Sequence, residues 1–237
     1  TNKIIFSDNN GAETTDANRV TSFDSDGFTV GTDGSTNTNT NDYVAWNWRA
    51  SGTSGSSNSD GSITSTVSAN TTAGFSIVTY TGTGANATVG HGLGSAPGLI
   101  LFKQRSATQK WIVHHQSLGA TKSLHLDTTE AEQTSTFMND TAPTSSVFSL
   151  GTIVNNNTSG ATYVAYCFAE KKGFSKFGSF TGNGSTDGPF VYTGFKPAWV
   201  MIKASSRSTD NWVIVDSKRS TLNPADDALL ANTSGGT

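Results

Sequence analysis

Glutamate stands at Glu13, Glu130, Glu132 and Glu170, and histidine at His91, His114, His115 and His125. A glycosidase needs two carboxylates facing one another across a cleft. Glu130 and Glu132 lie in a polar stretch, neither reads as a carboxylate repeated elsewhere in the chain, and no facing pair is nominated. The histidines lack the His-Glu-x-x-His spacing of a helical zinc site, and no Gly-x-Ser-x-Gly elbow offers a nucleophilic serine. Asp24-Ser-Asp-Gly27 has the start of a calcium loop, but no bidentate glutamate follows at the required distance. It reads as a turn ahead of the Phe28 strand. The expectation is therefore a chain that is not an enzyme, with no cofactor and no metal site.

Aromatic faces are the remaining candidates, because they stack on sugar rings. Trp46, Trp48, Trp111 and Trp212 all fall in apolar runs that recur along the chain, and Trp199 takes the place of Leu99 in the other copy, so core packing accounts for them. Tyr192, in Phe190-Val-Tyr-Thr-Gly194 beside the turn Asn183-Gly-Ser-Thr-Asp-Gly188, is the one possible glycan contact. Cys167 is the single cysteine and sits inside Tyr163-Val-Ala-Tyr-Cys-Phe168, where a small buried hydrophobe is expected. With one cysteine no intrachain disulfide can form, which suits synthesis in a reducing cytosol.

The elements that would carry these residues repeat. Phe75-Ser-Ile-Val-Thr-Tyr-Thr-Gly82 resembles Phe177-Gly-Ser-Phe-Thr-Gly182. Each leads through a glycine-rich turn to a proline strand, Pro97-Gly-Leu-Ile-Leu-Phe-Lys103 or Pro197-Ala-Trp-Val-Met-Ile-Lys203. Next come an arginine turn (Arg105, Arg207) and a tryptophan strand, Trp111-Ile-Val-His114 or Trp212-Val-Ile-Val215. The other half of the unit recurs too. Lys3-Ile-Ile-Phe-Ser-Asp8 matches Lys122-Ser-Leu-His-Leu-Asp127, and Gly27-Phe-Thr-Val-Gly31 matches Val147-Phe-Ser-Leu-Gly151. Tyr43-Val-Ala-Trp-Asn-Trp48 matches Tyr163-Val-Ala-Tyr-Cys-Phe168.

These matches divide the chain into the C-terminal half of a repeat (1–50), a Gly/Ser-rich linker leading into a strand (51–73), a complete repeat (74–172) and the N-terminal half of a further repeat (173–237). The last stretch, Ala228-Leu-Leu-Ala-Asn-Thr233, re-enters the strand with which the chain opens. That opening, which runs straight into a strand, reads as a piece of a longer polypeptide.

Short runs rich in Val, Ile, Phe and Trp, bounded by turn residues, predict strands of a sandwich or barrel. Period two puts Val164, Tyr166 and Phe168 on one face of their strand, with Val44, Trp46 and Trp48 in the first copy; this face is expected to be core. Helical signals are limited to short connectors within Ser123–Met138 and at Asn223-Pro-Ala-Asp-Asp-Ala-Leu-Leu230. The fold class expected is all-β: tandem antiparallel β-sandwich units, jelly-roll or concanavalin-like, with few or no helices.

Composition narrows the partners. Charged residues make up 14% of the 237, and the formal net charge is −3. Phosphate binding needs clustered Lys and Arg, so no nucleic acid is expected. No apolar run approaches the length of a membrane span, and no membrane insertion is expected.

Several of these stretches together resemble a known family. They are Asp26-Gly-Phe-Thr-Val-Gly31, Tyr43-Val-Ala-Trp-Asn-Trp48, Thr72-Ala-Gly-Phe-Ser-Ile-Val-Thr-Tyr-Thr-Gly82, Val89-Gly-His-Gly-Leu-Gly-Ser-Ala-Pro97, Ser145-Ser-Val-Phe-Ser-Leu-Gly151 and Tyr163-Val-Ala-Tyr-Cys-Phe-Ala-Glu170. The resemblance is to a repeated domain of unknown function common in tail and structural proteins of marine bacteriophages, often beside concanavalin-like sandwich domains. It spans nearly the whole chain and carries over no catalytic or ligand residue. It implies a virion-associated role displayed outside the cell, after assembly in the host cytoplasm.

The function expected is a non-catalytic structural part of a virion: a tail fibre, appendage or surface decoration. Its expected partners are further copies of itself and other virion proteins. The alternative is a receptor-binding, lectin-like adhesin that recognises host surface glycans; a depolymerase is a third and weaker reading.

Overall fold

The structure is a computed structural model and describes residues 3–234. The first segment holds β1 (Lys3–Ile4) paired with β2 (Thr14–Thr15), β3 (Val20–Phe23) paired with β4 (Phe28–Val30), and a single helical turn, α1 (Gly34–Asn37). The central segment begins with β5 (Ser56–Asn58), β6 (Ser65–Asn70), β7 (Phe75–Thr81), β8 (Ala87–Gly90), β9 (Leu99–Gln104) and β10 (Ile112–His115). It continues through β11 (Lys122–Ser123), β12 (Gln133–Thr134), β13 (Val147–Leu150), a second turn α2 (Val154–Asn157) and β14 (Thr162–Phe168). The last segment holds β15 (Trp199–Ile202), β16 (Val213–Asp216) and β17 (Leu229–Leu230).

Six central strands form one antiparallel sheet in the order β10-β9-β14-β7-β6-β5. The pair β8–β13 packs on one face, tied to the chain ahead of β6 by the parallel bridge Ile63↔Val89. Alternation sorts the side chains. Val78, Tyr80, Ile100, Phe102, Tyr163, Ala165 and Cys167 point inward onto Val89, Phe148 and Leu150, and all are buried. Tyr80 stacks on Tyr163 at 5.2 Å, and Phe102 meets Phe148 edge-on at the same distance. Rings packed this way add attraction beyond the area they bury.

The innermost face of β14 is thus Tyr163, Ala165 and Cys167. The face expected to be core, Val164, Tyr166 and Phe168, is the opposite one, and it is covered by the two flanking segments. Both faces of this strand carry aromatics, so period two separates them without ranking them. Tyr163 can be buried because its hydroxyl is satisfied by α2: it donates to the Val154 carbonyl at 2.9 Å and accepts from the Thr158 N–H at 2.8 Å. Burial pushes the Cys167 thiol well above its ordinary range, which leaves it an inert packing group.

The repeat seen in the sequence holds at the level of single bonds. Tyr43 makes the same two bonds to α1 as Tyr163 makes to α2, to the Gly34 carbonyl and the Thr38 N–H. Asn37 donates to the Gly31 carbonyl as Asn157 donates to that of Gly151. A Cβ at Gly31 would collide with the Asn18 carbonyl, and one at Gly151 with that of Thr136, so both copies require glycine there. The register β1–β2, with Lys3 opposite Thr15, reappears in β11–β12, with Lys122 opposite Thr134.

Within 51–73, expected as a Gly/Ser-rich linker leading into a strand, residues 51–58 lie along β6. Ser51 shares a 2.7 Å hydroxyl contact with Ser68, and β5 pairs β6 as the sheet edge. Polar side chains that cannot build a core can still satisfy backbone groups at an edge. Among the described residues the helical turns are α1 and α2; Gln133–Thr134 is a strand, and residues 223–230 end in β17.

Candidate functional site

Side chains capable of chemistry gather where the flanking segments meet the outer face of the central sheet. Leu99, Leu101, Trp111, Val113 and Tyr166 line that face, with Leu124 and Leu126 beside them. Ile5 from the first segment and Met201, Trp212 and Ala231 from the last complete one apolar cluster. The alternating outer positions of β9 and β14 supply the floor, and the tryptophan ahead of each second hairpin strand supplies the ring that crosses the joint.

The two joints use the same bonds. The Trp111 indole N–H donates to the Phe6 carbonyl at 2.8 Å, and the Trp212 indole N–H to the His125 carbonyl at 2.8 Å. Phe6 and His125 are equivalent positions of the repeat. Lys103 Nζ reaches the Asn10 carbonyl at 3.3 Å, and Lys203 Nζ reaches the equivalent Thr129 carbonyl at 3.2 Å. Each ammonium also caps the carbonyl of the residue after it, Gln104 at 2.9 Å and Ala204 at 2.8 Å. Burial holds both lysines below their ordinary range, and carbonyl oxygens stand in for the water they have lost. The Glu13 N–H bonds the Arg105 carbonyl, and the Glu132 N–H bonds that of Ser205.

A cavity of about 270 Å³ opens at the first joint between Lys3, Ile5, Glu13, Arg105, Trp111 and Tyr166. Its one carboxylate is clasped by guanidinium: Arg105 Nε donates to Glu13 Oε2 at 2.7 Å and Nη2 to Oε1 at 3.2 Å. That bond raises the Arg105 pKa. Lys3 Nζ lies 3.8 Å from the same carboxylate. Trp111 stacks on Tyr166 at 6.3 Å, so the rings cover each other instead of presenting a flat platform to solvent. Arg105 engages both Glu13 carboxylate oxygens and Lys3 lies close by, so the arrangement ties the first segment to the central sheet.

The other acidic cluster has the same character. Glu130 takes both hydrogen bonds of Lys110, at 2.9 and 2.8 Å, and one from His125 Nδ1 at 2.7 Å. These partners, Lys110 first, hold its carboxyl down to about 2. Glu132 pairs with Lys122 at 3.2 Å, at the position where Glu13 meets Lys3. The expectation that neither Glu130 nor Glu132 recurs as a carboxylate is therefore corrected for Glu132. Aligning Lys3 with Lys122 and continuing along both copies brings Glu13 onto Glu132, so the signal was present in the sequence. His91 is fixed by its neighbours: Nδ1 accepts from the Leu93 N–H and Nε2 faces the Thr144 carbonyl, each at 3.2 Å, which makes it a neutral turn residue.

Tyr192 stands apart from these clusters. It is 78% exposed, and Phe190 two residues before it is 90% exposed. The neighbouring turn is closed by its own bonds, Asn183 to the Asp187 carbonyl and Ser185 to Asn183. Among the described residues no group of three or more His, Cys, Asp or Glu side chains is placed to hold a metal ion, and no helix is long and apolar enough to cross a membrane.

One family accounts for the whole length: residues 1–237 match a domain of unknown function, DUF7483. The chain belongs to the DUF7483 family. No curated protein and no solved structure matches it. Within this DUF7483 chain, the best-formed constellation of polar and aromatic groups is the joint that occurs twice.

Proposed function

We propose that this chain is a structural, non-catalytic component of a bacteriophage virion, a tail fibre, appendage or surface decoration that displays tandem β-sandwich units. The repeated joint carries this reading. Tryptophan and lysine side chains, groups a catalytic or binding site would draw on, fasten one unit to the next at equivalent positions. The virion context comes from the sequence resemblance to phage tail and structural proteins. In the sandwich reading, the six-stranded sheet is one layer and the β8–β13 pair belongs to the other. Repeated rigid units on an oligomeric particle turn weak contacts into avidity. Assembly in the host cytoplasm suits a chain with a single, buried cysteine.

A receptor-binding, lectin-like role is the second reading, favoured by the exposed rings of Phe190 and Tyr192 on one short segment. Gold-labelled antibody against the chain, applied to purified particles, tests the first reading. Label at a fixed place on tail or capsid is expected, and particles free of the chain would overturn it. A glycan array run with the chain and with Tyr192→Ala separates the two. Binding that Tyr192→Ala abolishes establishes the adhesin.

A further inference from the structure

Two asparagines precede a glycine, Asn10 before Gly11 and Asn183 before Gly184. In such a pair the glycine nitrogen can attack the side-chain amide before it, because no Cβ stands in the way. The structure treats the two sites differently. Both ends of the Asn183 amide are occupied: Oδ1 accepts from the Ser185 N–H and Nδ2 donates to the Asp187 carbonyl, each at 3.0 Å. Asn10 is exposed, and among the described residues its side-chain amide has no hydrogen-bond partner.

The carbonyl between Asn10 and Gly11 sits in a clasp at the first joint. It accepts from the Gln109 N–H at 2.9 Å and from the Lys103 ammonium at 3.3 Å. When the Gly11 nitrogen loses its proton, the negative charge spreads onto this oxygen. Donors already aimed at an oxygen where charge develops stabilise it most when they are shielded from water, and Lys103 is buried. One contact opposes the step: the Gly11 N–H donates to Asn9 Oδ1 at 2.9 Å, a bond given up as the proton leaves.

We propose that Asn10 is a site of spontaneous conversion to isoaspartate, assisted by the Lys103 and Gln109 clasp on its own carbonyl. The Gly11 nitrogen gives its proton to solvent hydroxide and bonds Asn10 Cγ. The side-chain nitrogen takes up a proton from water and leaves as ammonia, closing a cyclic imide. Water then opens the ring. Attack at the Asn10 carbonyl carbon breaks its bond to the Gly11 nitrogen, and the main chain then runs through Cγ; attack at Cγ gives ordinary aspartate. In sum, water is consumed and ammonia released. On the first route the former carbonyl oxygen becomes part of a carboxylate facing Lys103, whose ammonium is otherwise held by carbonyl oxygens. The second joint cannot follow, because the equivalent carbonyl belongs to Thr129. Ageing therefore changes one joint and spares the other, whatever particle or surface the chain serves.

The test incubates the chain in mildly alkaline buffer, folded and in urea, and follows both sites by peptide mass spectrometry. Conversion shows as the mass difference between an amide and an acid. A protease that cuts before aspartate but not isoaspartate tells the products apart. In urea the two sites should convert at similar rates, since both precede glycine. Folding should leave Asn10 as fast or faster and slow Asn183 several-fold. Lys103→Met removes the ammonium, keeps the stem, and should slow Asn10 several-fold without changing Asn183. Hydrogen exchange in β7, β9 and β14 reports whether that variant keeps its fold, and the comparison of folded chain with urea stands without it. An Asn10 slowed by folding as much as Asn183 overturns the inference. So does an unchanged Asn10 rate in a folded Lys103→Met chain.

Discussion

Replacing Trp111 and Trp212 by phenylalanine, one at a time, should loosen two different segments by the same amount. Each indole N–H donates to a part-buried carbonyl at 2.8 Å, Phe6 in one case and His125 in the other. Phenylalanine keeps most of the ring but removes the donor. The lost bond is worth about 1 kcal/mol, and the carbonyl left without a partner adds roughly 1–2 kcal/mol. A total of about 2–3 kcal/mol raises the population of the detached joint by roughly 30- to 150-fold. Hydrogen exchange read by mass spectrometry reports that population peptide by peptide. Trp111→Phe should accelerate exchange in residues 3–15 and leave β7, β9 and β14 protected. Trp212→Phe should do the same for residues 199–216. Equal acceleration throughout the central sheet would refute the reasoning, because the tryptophans would then belong to the unit's own core and not to a joint.

Acid should weaken the central unit through His114. Burial, with His115 beside it, holds its pKa at about 4 against an ordinary 6.5. The unfolded chain therefore binds the extra proton between those values, and stability falls as pH drops through that window, by up to roughly 3 kcal/mol. His114→Phe should flatten that limb of a urea-midpoint-versus-pH curve, and an unchanged limb would show that other groups carry it. Tyr163→Phe and Tyr43→Phe remove the same two hydrogen bonds from equivalent turns. The buried Tyr163 should lose about 1–3 kcal/mol in thermal or urea unfolding and the half-exposed Tyr43 much less, since water replaces its partners; equal losses would contradict the open first segment.

Much of this fold can be read from the residues alone. The doubling of the tryptophan strands, the glycines at Gly31 and Gly151 and the short β runs follow from local pattern, because a turn or a pleat is dictated by a few neighbouring residues. The repeat also offered Glu13 and Glu132 as counterparts once the copies were laid side by side. Tyr192 was singled out for its turn-rich surroundings, and the structure does place it in solvent.

What the chain could not disclose is which of two apolar faces lies deeper. Tyr163 and Cys167 on one side of β14, and Tyr166 and Phe168 on the other, satisfy the same alternation. Only the packing of β8 and β13 against the first, and of the flanking segments against the second, ranks them. The partners of the tryptophans were equally hidden, since Trp111 bonds a carbonyl 105 residues away and Trp212 one 87 away. Local sequence sets strand and turn because their forces act over a few residues; tertiary structure sets burial and fastening because those depend on surfaces that meet only when the chain has folded.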